Sequence, residues 1–164
     1  MRFESPIRSL VITSWVGSLW TVGYLVAPTL FITLSDRVLA GTIAGRLFRV
    51  EAWLSLVAGA FLLLLFLLRG ASNPPYRVMF KLVAAMVLCT LIGYFALQPF
   101  MAALREAAAG GAMEGAARTR FGLLHGVASA IYLVQSLLGI MLVLKNAGMS
   151  TAMPTDMSSL GSKR

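Results

Sequence analysis

Four long apolar runs, separated by short segments that hold nearly all the charge, constrain this chain more than any other feature. The runs extend from Ser9 to Leu34, Ala40 to Leu68, Val78 to Ala103 and Phe121 to Leu144. Each exceeds the about 20 residues that an α-helix needs to cross the hydrocarbon layer. A lipid environment leaves backbone polar groups no partner but the chain itself, so each run is predicted to be a helix. The fold class is therefore all-α, an integral membrane four-helix bundle. Residues 1–145 form one four-helix domain, and residues 146–164 form a polar, aperiodic tail predicted to be disordered.

Composition supports this reading. Hydrophobic residues make up 59% of the 164-residue chain and charged residues 12%. Soluble domains carry about 25% charged residues. The net charge of +8 comes from basic residues at segment ends, where they anchor helices, and no base-stacking or basic-helix motif accompanies them. Nucleic acid is therefore not an expected partner; the lipid bilayer is. The single cysteine, Cys89, lies inside an apolar run and has no C-x-x-C companion, so it reads as a packing residue.

The first run is too long for a signal-peptide core and lacks an A-x-A cleavage site, so it is retained as a helix. Pro28 is predicted to kink or end it. Trp15, Trp20 and Tyr24 read as interfacial or lipid-facing aromatics. The link R-G-A-S-N-P-P-Y-R is predicted to exclude helix. Four spans place both termini on one side. That side carries eight basic residues against six on the other, which predicts cytoplasmic termini, in a bacterial inner membrane.

Polar residues recur at helical spacing on otherwise apolar runs. His125, Ser129, Tyr132, Ser136 and Gly139 share one face of the fourth run. Thr90, Tyr94 and Gln98 share a face of the third, and Ser14, Gly17, Thr21, Tyr24 and Pro28 a face of the first. The far ends of runs one and three meet the starts of runs two and four. That end gathers the candidate polar site: His125, Arg120, Arg49, Glu51, Arg46, Gln98, Tyr24, Ser129 and Tyr132. Its excess of arginine suits an anionic headgroup or carboxylate. The same residues serve equally as helix anchors and inter-helix pairs. His125 is expected to face the interior, against Tyr24 or Gln98, and Gly41, Gly45, Gly122 and Gly126 to face other helices. The opposite end offers no comparable polar set.

The set Trp15, Pro28-x-x-Phe31, Ala40-Gly41, Gly45-x-Leu47-Phe48, Pro99, Arg105, Arg120-Phe121 and Leu124-His125-Gly126 resembles the bacterial domain-of-unknown-function 4149 family. That family is similar to the eukaryotic transmembrane protein 205-like proteins, some linked to platinum-drug resistance. The resemblance covers residues 7–144 and implies a four-helix membrane protein without an established enzymatic activity. The family's serine and asparagine after the histidine are replaced here by Ala128 and Tyr132, with Ser129 one position off. A role resting on that serine or asparagine does not carry over, whereas Arg120, Phe121 and His125 do.

Two functional classes follow. The first is a non-enzymatic bundle that binds a membrane protein partner, a lipid, a small anion or a second copy of itself, with no cofactor. The second is a haem- or redox-associated subunit using His125, with a methionine such as Met86, Met101 or Met141 or a second subunit completing the ligand set. A small oligomeric transporter is a third reading, weakened by the lack of midplane charge. No nucleophile–base pair, phosphate loop or metal-ligand cluster marks the sequence, so an enzyme is not expected.

Overall fold

The computed structural model describes residues 4–69, 74–108 and 113–151. Its elements are α1 (Glu4–Trp20), a π-helical turn (Thr21–Val26), α2 (Ala27–Thr33), α3 (Arg37–Leu68), α4 (Pro74–Leu91), a second π-helical turn (Ile92–Leu97), α5 (Gln98–Ala107) and α6 (Gly115–Thr151). No strand occurs among the described residues. Four continuous stretches are long and apolar enough to cross a membrane: Ser5–Thr33, Arg37–Leu68, Pro74–Ala107 and Gly115–Met149. The chain is an all-α, four-helix membrane bundle. Its spans run up and down, so both described chain ends lie at one end, called here the terminal end.

Each span is longer than its apolar run, for local reasons. Asp36 caps α3: its Oδ1 accepts from the Val38 and Leu39 amides at 2.8 and 3.0 Å, so the helix starts at Arg37 rather than Ala40. Pro74 and Pro75, expected to exclude helix, instead occupy the first turn of α4, where a missing N–H costs nothing. Past Lys145, where the folded part was expected to end, α6 continues to Thr151 and Asn146 is buried. The remainder of the expected disordered tail, 152–164, and the Gly110–Gly111 break lie outside the described residues.

Pro28 and Pro99 widen their helices instead of ending them. Each is the second residue after a six-residue π-helical turn. Proline supplies no N–H and its ring displaces the carbonyl four residues back, so the preceding amides pair one residue further away. The Ala27 N–H donates to the Val22 carbonyl, and Gln98 N–H to the Gly93 carbonyl, each five residues back. Spans one and three are thus interrupted at corresponding heights, while spans two and four are continuous.

The core sits at the terminal end. Ile12, Trp15 and Val16 of α1 pack with Leu62 and Phe66 of α3, Met79, Leu82, Val83 and Met86 of α4, and Leu142 of α6. Trp15, read as an interfacial aromatic, is 1% exposed. Gly59 makes this packing possible, because a Cβ there would collide with Val87 and touch the Trp15 ring. In α6, no residue from Gly115 to Val134 is fully buried, and the far half of that helix packs on α5 and the second π-helical turn through one half-buried face only.

Candidate functional site

The described polar side chains converge at mid-height, below the far end where the sequence placed them. Glu51 lies 14 residues after Arg37 and 17 before Leu68, about 21 and 25 Å from the two ends of its helix. It is 5% exposed. Its Oε1 accepts from the Ser18 hydroxyl at 3.2 Å and the Ser55 hydroxyl at 3.5 Å. Ser55 in turn accepts from the Trp15 indole Nε1 at 2.8 Å. Ser18 also reaches the Trp15 carbonyl at 2.9 Å. The pattern follows from spacing: Glu51 and Ser55 stand one turn apart on α3, and Trp15 and Ser18 one turn apart on α1.

A second group joins spans one and four beside it. The Tyr132 ring lies on the bare backbone of Gly23, where any Cβ would collide with it. Its hydroxyl donates to the Leu19 carbonyl at 2.5 Å, two residues before the first π-helical turn. Phe48 meets Tyr132 edge to face at 5.4 Å, and Tyr24 does so at 6.1 Å. The Tyr24 hydroxyl donates to Ser136 Oγ at 2.9 Å. A third contact joins spans three and four, where buried Gln135 Nε2 donates to Thr90 Oγ1 at 3.0 Å. At the terminal end, contrary to expectation, Arg8 is also buried. Its Nε donates to Asn146 Oδ1 at 2.8 Å, Asn146 Nδ2 donates to Ser9 Oγ at 2.9 Å, and the guanidinium lies over Tyr76.

The expected constellation is therefore divided. Glu51, Tyr24 and Tyr132 belong to the mid-height group. Gln98 and Arg105 are half-buried beside Gly45, as the close-contact reading of that glycine requires. Arg46, Arg49 and Arg120 are exposed and do not converge on a common point. His125 is exposed as well, its ring stacked on Phe121 at 6.0 Å, and Tyr24 is committed to Ser136 rather than to it. Ser129 is exposed and donates to the His125 carbonyl of its own helix. Only the lower part of the stripe turns inward: Ser136 and Gly139 are buried and Tyr132 is half-buried. The upper part is uncovered because α6 turns a different face, half-buried Phe121, Leu124, Ala128 and Ile131, toward α5 and the second π-helical turn at that height. For the same reason nothing lies within 4 Å of a Cβ built on Gly122 or Gly126, and Gly41 meets only Phe31 at 3.9 Å.

Ser18, Ser55 and Gln135 went unrecognised in the sequence, and Trp15 was read as an interfacial aromatic. Ser14, Gly17 and Thr21 were the residues chosen on α1, yet all three are exposed and Thr21 bonds its own helix. The i, i+4 spacing of Glu51 and Ser55 was the available signal, since a carboxylate in a membrane helix requires donors on its own face. No group of three or more metal-ligating side chains occurs among the described residues.

A family model described as Domain of unknown function (DUF4149) matches residues 10–109, which takes in spans one to three almost entirely. No curated protein and no solved structure matches the chain.

Proposed function

Because the chain belongs to the DUF4149 family, whose description names no activity, we infer its function from its own geometry: it is a non-enzymatic membrane bundle that associates with a second copy through the exposed far half of α6. The observation that carries this reading is the outward surface of Gly122, His125, Gly126 and Ser129. Two bare glycines one turn apart let another helix approach closely. An outward histidine and serine are poorly served by lipid and gain from a protein neighbour. No arginine cluster supports small-anion binding in the described residues, since Arg46, Arg49 and Arg120 stand apart on the surface. We place both termini in the cytoplasm of a bacterial cell, on the eight-to-six bias of basic residues.

Oxidative cross-linking tests the association. With Cys89 replaced by alanine and a cysteine placed at Leu123, membranes should yield a disulfide-linked dimer. Adding Gly126→Leu should abolish it while leaving thermal unfolding unchanged. A monomer under oxidation, or a dimer indifferent to Gly126→Leu, would contradict the reading.

A further inference from the structure

We propose that the Glu51 carboxyl, with the Ser18 and Ser55 hydroxyls, is a binding site for a small monovalent cation, a proton or Na⁺, at mid-height in the bundle. The first ground is charge. Glu51 is buried about equally far from both ends of its helix, and its hydrogen-bond partners among the described residues are the two hydroxyls. Arg46 and Arg49, the nearest cations in sequence, are exposed on other faces of α3. From α1 the neighbours are Trp15 and Ser18, both neutral. From α6 the neighbouring titratable group is Tyr132, whose hydroxyl is committed to the Leu19 carbonyl. Thus no described side chain supplies the positive charge that a carboxylate held away from water requires.

The second ground is the directionality of the hydrogen bonds. Trp15 Nε1 donates to Ser55 Oγ, so the Ser55 proton is directed onward to Glu51. The Ser55 hydroxyl addresses Oε1, and the single Ser18 proton is shared between Oε1 and the closer Trp15 carbonyl. Oε2 receives no donor from the described residues and is the open valence of the site. A proton on Oε2 completes a neutral acid. Na⁺ would instead find oxygen ligands in the carboxylate, the two hydroxyls and the Trp15 carbonyl that Ser18 already reaches. A divalent ion is disfavoured, because one carboxylate would leave it with excess charge in a low-dielectric site. Phe48 and Tyr132 meet one turn nearer the far end, between the site and the part of the bundle that α6 leaves uncovered.

Labelling of the full chain in liposomes with dicyclohexylcarbodiimide, mapped by mass spectrometry, tests this without any substitution. The reagent partitions into apolar regions and modifies protonated carboxyls. The exposed Glu106 and Glu114 serve as internal references. An adduct at Glu51 that is lost on going from mildly acidic to alkaline pH, with Na⁺ and choline equivalent, identifies a proton site. An adduct suppressed by Na⁺ but not by choline at fixed pH identifies a Na⁺ site, and Ser55→Ala should then weaken that protection. Absence of a Glu51 adduct under every condition, or an adduct insensitive to both pH and Na⁺, overturns the proposal.

Discussion

The two ends of the bundle differ in what fills them. At the terminal end, tryptophan, phenylalanine, methionine, leucine, isoleucine and valine from all four spans close on one another around Trp15 and Phe66. From Phe48 outward, the buried residues among those described are Ala40, Ala44 and Met101. Small residues on α3 let α2 approach there, and α5 packs on α6, with the Arg105 guanidinium over the Phe121 ring, but these contacts bury few side chains; α6 packs chiefly on α4 and α1, lower down. Lipid solvates leucine as well as a protein interior does, so apolar side chains alone give no reason for a span to close. Shape and polar contacts decide. The terminal end has both, with the Arg8–Asn146–Ser9 bonds and the Trp15–Ser55–Glu51 chain. The far end has the two π-helical turns below it and an α6 whose outer face stays exposed.

The largest test of this difference is to delete one aromatic ring at each end. Phe66→Ala removes a fully buried ring and should cost about 3–5 kcal/mol. Phe100→Ala, at a position 64% exposed, should stay within about 0.5 kcal/mol. Denaturation in mild detergent compares them, and equal losses would erase the distinction. A smaller contrast comes from added volume. Gly59→Leu must displace Val87 and press on Trp15, an overpacking cost of about 1–3 kcal/mol, whereas Gly126→Leu should not lower the melting temperature. The sequence suggested the opposite for Gly126, so this pair discriminates directly between a covered and an exposed outer face of α6. The third contrast is polar. Asn146→Ala leaves the buried Arg8 without its acceptor and should destabilise by about 1–3 kcal/mol, and adding Arg8→Met should recover part of the loss. If Arg49→Ala, on an exposed side chain, costs as much, the terminal network is not what holds that end together.

The architecture was legible because hydropathy and length act on each span separately. The four runs and their order needed no knowledge of neighbours. Helix ends were less accessible, since the Asp36 cap and the first-turn prolines of α4 lie in segments that read as links. The site was only partly readable. Tyr132, Tyr24 and Glu51 were chosen on chemical grounds that hold for any membrane helix. His125 was chosen on the same grounds and is exposed. It shares a sequence stripe with the buried Gly139, but a stripe does not show which face another span will cover, and at that height α5 packs on the Phe121 side instead. Ser18 and Ser55 escaped notice because a lone serine in an apolar run is unremarkable until the opposing carboxylate is in place.

Lipid accessibility along one face of α6 tests the account most directly. Spin labels placed singly at His125, Ser129, Ser136 and Gly139, in a Cys89→Ala chain reconstituted in bilayers, sample that face from the far end to the core. Collision with dissolved oxygen should be high at His125 and Ser129 and should fall sharply at Ser136 and Gly139. Equal protection at all four positions would show that this face is covered along its whole length, and would contradict the exposed far half on which the α6 interface rests.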